Sequence, residues 1–191
     1  MGLTLANKVT IGRIVIVPMF IATLLYYSPE RDYLRFVSLA FFLVAVISDV
    51  IDGYIARRYY QKTKAGAILD PLADKLLLVS AFTCIYIVGG DFPVFHFPVW
   101  FVVTMISRDV ILLIGALIIQ LTTGQMNVVE ANFFGKTAAF VQTVCVLGML
   151  MQIPVSVYLW PLAVVVTIIS GIWYIREGIK VINDSGNQNR S

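Results

Sequence analysis

Apolar runs of near-membrane length follow one another along this chain, separated only by short polar breaks. Six of them occupy residues 9–27, 34–50, 68–88, 97–121, 134–151 and 155–174. A helix rises 1.5 Å per residue, so about 20 residues cross the hydrocarbon of a bilayer. The breaks at Ser28-Pro29, Gly89-Gly90, Gly124 and Pro154 carry the residue types that end helices and make turns. A soluble chain needs a charged coat of about a quarter of its residues. Here 13% are charged and 59% hydrophobic, too little charge to cover a water-facing surface. The pattern predicts an all-α integral membrane protein with six transmembrane helices.

The first run is too long for a secretory signal, contains Pro18 and lacks a small-x-small exit, so it is expected to be a retained helix. One membrane domain is expected over residues 1–182, followed by a polar, frayed tail over 183–191. Six spans place both termini on one side. Lys8, Arg13, Arg57, Arg58, Lys62, Lys64, Lys136, Arg176, Lys180 and Arg190 gather there, against Arg31 and Arg35 opposite. That bias makes both termini and the loop after the second helix cytoplasmic. A net charge of +3 does not point to nucleic acid. Cys84 and Cys145 lie inside apolar runs, where they are packing residues, and the single His96 has no neighbouring ligand with which to hold a metal.

Charge within or at the rim of membrane helices is costly, so it marks function by default. Asp49 and Asp52 end the second helix three residues apart; Asp70 and Asp74 begin the third, four apart. Both spacings put a pair on one helical face. Two such faces packed together make a four-carboxylate pocket, and without cations the anions repel and some protonate. An all-oxygen ligand set favours two hard divalent ions, Mg²⁺ or Mn²⁺, over zinc. Gly53, Ala56 and Gly66 are small, leaving room for close approach to those ions, and Arg57 offers a forked cation to phosphate oxygens. Paired acids at helix ends can also be merely solvated. Two pairs with an arginine and three small residues at facing positions argue for phosphoryl chemistry instead.

The run D-V-I-D-G-Y-I-A-R from Asp49 to Arg57, then eight residues, then G-A-I-L-D-P-L-A-D from Gly66 to Asp74, resembles the signature of the CDP-alcohol phosphotransferases. Every fixed position of D-x2-D-G-x2-A-R-x8-G-x3-D-x3-D is met. The resemblance implies a six-helix core and a homodimer. It also implies that Asp49, Asp52 and Asp70 are metal ligands, and that Asp74 both approaches the metals and acts as general base. Gly53, Arg57 and Thr63 match positions that hold the CDP group, and Asn7, Thr10 and Arg13 resemble an N-x2-T-x2-R element lining the same pocket. The implied reaction is attack of an acceptor hydroxyl on the lipid-side phosphorus of CDP-diacylglycerol, with CMP leaving, at the cytoplasmic face of a bacterial inner membrane.

The acceptor lies outside that signature. I-S-R-D at Ile106 to Asp109, and Gly135-Lys136 followed by Gln142, resemble the glycerol-acceptor branch, the phosphatidylglycerophosphate and cardiolipin synthases. Arg108 and Lys136 are therefore the candidate acceptor-binding cations, although Arg108 and Asp109 could instead pair structurally. The branch's usual S-R-E, downstream arginine and G-K-x-K-T are replaced by Asp109, Ala116, Ala138 and Ala139. Fewer cations suit phosphatidylglycerol better than a dianion. Glycerol 3-phosphate is the first expectation and phosphatidylglycerol the second. An ion-coupled transporter would need discontinuous helices, midplane acids and an inverted repeat, and the sequence has no such repeat.

Overall fold

A computed structural model describes the backbone of residues 5–58, 64–93, 95–123 and 133–188, and the side chains of 12–51, 75–93, 95–119 and 135–180. The described elements are helical throughout: α1 (Leu5–Leu25), α2 (Tyr33–Arg58), α3 (Lys64–Val88), α4 (Val99–Thr123), α5 (Phe133–Leu150) and α6 (Leu159–Gln188). Short 3₁₀ turns at Pro29–Arg31, Gly89–Asp91 and Pro154–Tyr158 fall at the proline and glycine breaks.

Three boundaries move from their expected places. α2 continues through the aspartate motif to Arg58, α3 starts at Lys64, and α6 runs to Gln188. Hydropathy marks where a helix would meet lipid, not where its backbone hydrogen bonds stop. Residues such as Ala, Arg and Lys propagate a helix well outside an apolar setting.

Three helices are long and apolar enough over the described residues to cross a bilayer: Tyr33–Ile51, Val99–Ile119 and Pro154–Lys180. Gly12–Leu25 and Gly135–Leu150 are shorter apolar stretches. Those three helices turn most of their surface outward. Val103, Val110, Ile114 and Leu117 of α4, with Ile168, Ile172, Ile175 and Ile179 of α6, are exposed, a surface suited to lipid tails.

The chain forms two compact units, Met1–Pro98 with Val146–Pro154, and Val99–Cys145 with Val155–Ser191. In the first, α1 packs on both α2 and α3. Phe20, Leu24, Phe42, Ala45, Leu78, Ala81 and Ile85 are buried there, and the Phe20 and Phe42 rings lie 5.8 Å apart. Thr23 and Ser38 bond each other's hydroxyls at 2.9 Å, and each also bonds a carbonyl of its own helix. Such internal pairing is what a polar group away from water requires.

Buried Arg35 organises the end of that unit away from the motif. Its Nε and Nη2 donate to both oxygens of Asp32 at 2.8 and 2.9 Å, and its Nη1 donates to the carbonyl of Leu150, the last residue of α5, at 2.8 Å. A guanidinium at a helix C-terminus satisfies carbonyls that have no helical partner. α5 stops there in a left-handed turn: Gln152 has φ 52°, its N–H donates to Met149 O, and the Ile153 N–H donates to Gly148 O. Glycine usually takes that position. Here the Gln152 amide adds a 2.8 Å bond to Met149 O.

In the second unit α4 packs on α6. Phe101 and Trp160 lie with ring centroids 5.6 Å apart, above buried Met105, Ala163 and Thr167. Small residues let the helices approach closely. A Cβ on Gly115 would stand 3.1 Å from the Tyr174 ring, and one on Gly178 would stand 3.2 Å from Ile119 Cδ1.

Candidate active site

Because α2 runs unbroken to Arg58, Asp49, Asp52, Gly53, Ala56 and Arg57 all stand on one continuous helix. Gly66, Asp70 and Asp74 likewise fall within α3, at four-residue intervals along one face. Asn7, Thr10 and Arg13 lie on α1, the helix that packs against both of the others. All three elements of the predicted phosphoryl site thus belong to the first unit. Of their side chains only Arg13 and Asp49 are among the described residues; Thr63 lies outside them entirely. Among the described residues no three His, Cys, Asp or Glu side chains group as metal ligands.

Arg13 and Asp49 meet. Arg13 Nη1 stands 2.6 Å from Asp49 Oδ1, with the arginine side chain 0% exposed and the aspartate 44% exposed. A buried guanidinium needs an anion, and α1 supplies it from the first aspartate of the motif. With 44% of its side chain exposed, Asp49 still has carboxylate surface open to solvent beside the buried guanidinium. Arg13, expected from sequence beside the nucleotide, thus touches a proposed metal ligand.

The acceptor candidates lie in the second unit. Arg108 is 6% exposed and Asp109 2%, and Arg108 Nη1 donates to Asp109 Oδ1 at 2.7 Å. Arg108 Nη2 donates to Ser170 Oγ of α6 at 2.6 Å. Gly171 lies against the arginine stem, where a Cβ would be 3.8 Å from Cγ. The start of α5 comes close as well: a Cβ on Gly135 would be 4.0 Å from Arg108 Nη2, and Lys136, the next residue, is exposed. Arg108 Nε has no hydrogen-bond partner among the described residues. The structural pairing weighed from sequence is therefore present, and it leaves part of the guanidinium unsatisfied.

A second polar layer lies one turn along α4. Gln142 Nε2 and Thr167 Oγ1 each stand 3.5 Å from Met105 Sδ, and Gln142 Oε1 has no partner among the described residues. Sequence reasoning passed over Ser170 and Thr167. Their one signal was a pair of hydroxyls three residues apart in an otherwise aliphatic run.

The sequence profile of the CDP-alcohol phosphatidyltransferases matches residues 3–169. The chain belongs to that family and is a transferase. It is 32% identical over 185 residues to a "Probable phosphatidylglycerophosphate synthase" of Mycobacterium tuberculosis, covering 93% of this chain and 83% of the relative. The "CDP-diacylglycerol--glycerol-3-phosphate 3-phosphatidyltransferase" of Bacillus subtilis is 30% identical over 198 residues, covering 95% and 98%. The Escherichia coli K12 protein of the same name is 31% identical over 155 residues, 78% of each chain.

Proposed function

We propose that this chain transfers the phosphatidyl group of CDP-diacylglycerol to glycerol 3-phosphate, forming phosphatidylglycerophosphate and releasing CMP. The observation that carries this reading is similarity over most of both chains to bacterial relatives bearing that activity in their names.

In the proposed reaction the acceptor hydroxyl oxygen bonds to the lipid-side phosphorus, the bond from that phosphorus to the CMP oxygen breaks, and the hydroxyl proton passes to Asp74. Asp49, Asp52, Asp70 and Asp74 would hold two divalent ions, Mg²⁺ or Mn²⁺. The donor chemistry fits, since Asp49 is an oxygen donor whose side chain stays 44% exposed beside buried Arg13. When bound, such ions neutralise phosphate oxygens and the charge developing on the leaving group. Gly53, Ala56 and Gly66 leave room for the nucleotide, and Arg57, Thr63, Asn7, Thr10 and Arg13 line its pocket, with Arg57 forked onto the diphosphate. Arg108 and Lys136 take the acceptor phosphate. An unpartnered buried N–H costs roughly 1–3 kcal/mol, and a phosphate oxygen at Arg108 Nε would remove that penalty.

The same reading puts six spans across a bacterial inner membrane, with termini and site cytoplasmic, in a homodimer. Acyl chains then stay in lipid while the nucleotide stays in water. Phosphatidylglycerol as acceptor is the second reading. It rests on Ala138, which stands where the glycerol 3-phosphate branch carries lysine and is buried on α5 at 1% exposure. The deciding experiment is CMP release by purified enzyme with CDP-diacylglycerol and each acceptor in turn. Product with glycerol 3-phosphate alone supports the first reading; product with phosphatidylglycerol alone replaces it.

A further inference from the structure

Arg108 does not hold its own direction. Its side chain is long and flexible, and such a chain loses up to about 2 kcal/mol of rotamer freedom when ordered. Two groups fix it here, and both are almost fully buried: Asp109 at 2% exposure and Ser170 at 3%. Asp109 is the neighbouring residue on α4. Ser170 ties the guanidinium to a second helix: it stands on α6, 62 residues away, and accepts from Nη2 at 2.6 Å.

The roles of the two partners therefore differ. Asp109 compensates the charge of a guanidinium removed from water. Ser170 carries no charge and compensates none; what its hydroxyl supplies is direction. It occupies Nη2 while Asp109 occupies Nη1, and the donor left without a partner among the described residues is Nε. Gly171, next in the chain, lets the arginine stem lie close to α6, with a Cβ there reaching 3.8 Å from Cγ. Serine and glycine together thus form a seat for this side chain on a helix that carries none of the motif residues.

We infer that Ser170 is a positioning residue for the acceptor: it aims Arg108 so that the Nε edge of the guanidinium meets the acceptor's phosphate. This rests on the proposed reading that Arg108 binds that phosphate. Ser170 lies just beyond the stretch matched by the family profile, which ends at residue 169.

The test is a double-mutant cycle on the purified, membrane-extracted enzyme, comparing wild type, Ser170→Ala, Arg108→Ala and the double variant. Measured quantities are KM for glycerol 3-phosphate, KM for CDP-diacylglycerol, kcat and thermal unfolding. A hydrogen bond that acts on the acceptor only by orienting Arg108 is worth roughly three- to tenfold. Ser170→Ala is expected to raise acceptor KM by that factor, leave the CDP-diacylglycerol KM within twofold, and add nothing once Arg108 is alanine. Ser170→Thr keeps the hydroxyl and is expected to restore most of the acceptor affinity. If Arg108→Ala raises acceptor KM but Ser170→Ala does not, the positioning role is wrong and the acceptor reading stands. Effects that add in the double variant, or KM values for both substrates that rise together with a fall in unfolding temperature, also overturn it by showing general damage. If Arg108→Ala leaves acceptor KM unchanged, both the acceptor reading and the role of Ser170 fall.

Discussion

Arg13 Nη1 lies 2.6 Å from Asp49 Oδ1, joining a fully buried cation on α1 to a carboxylate on α2 that is 44% exposed. The pair ties the N-terminal helix to the first aspartate of the motif, so the geometry of that carboxylate depends on a residue outside the signature. Arg13→Ala is expected to destabilise the protein by about 1–3 kcal/mol, below the usual cost of breaking a wholly buried pair because water reaches Asp49. Turnover is expected to fall at least tenfold. Thermal unfolding in detergent and CMP release check both, and wild-type values for the variant would remove the pair from the mechanism.

Chelation is expected to abolish CMP release, and Mg²⁺ or Mn²⁺ to restore it, since clustered carboxylates need counter-cations. Full activity in excess EDTA would rule out the metal reading. Asp74→Asn is expected to lose turnover while still binding CDP-diacylglycerol, because a base serves the chemical step more than binding.

Arg57→Lys replaces a planar fork by a point charge. CDP-diacylglycerol binding is expected to weaken about tenfold, with acceptor KM unaltered. Equilibrium binding of the nucleotide lipid reads this directly, and an unchanged affinity takes Arg57 out of the site.

Asp109→Ala is expected to destabilise by about 3–5 kcal/mol, since it leaves Arg108 buried without its anion. The comparison is with Asp32→Ala, whose partner Arg35 keeps its bond to Leu150 O and whose own side chain is 44% exposed. Unfolding of the two variants side by side should separate them clearly, Asp109→Ala being much the worse.

Hydrogen bonding from Arg35 holds the Asp32 carboxyl below the usual carboxylate range. Its contribution to stability is therefore present in full above the unfolded value of about 3.9 and is lost as pH falls through the lower folded value. Wild type should lose more stability than Asp32→Asn on acidification below about pH 4. Parallel pH profiles for the two would show that the pair contributes nothing.

The helical class, the order of the six helices and the family signature were legible from sequence because each depends on near neighbours. Apolar run length reports helices in lipid, and spacings of three and four residues report a shared face. The limits of the helices were less legible. α2 and α6 extend into polar sequence, where hydropathy is silent and the backbone bonds continue. What only the tertiary structure decided are pairings between residues far apart in the chain. Arg13 reaches Asp49, Arg108 reaches Ser170 across 62 positions, and Arg35 reaches the Leu150 carbonyl across 115. For none of these cations does the sequence name the distant partner. That partner depends on which helix faces meet, and that is set by the packing of the whole unit rather than by any local pattern.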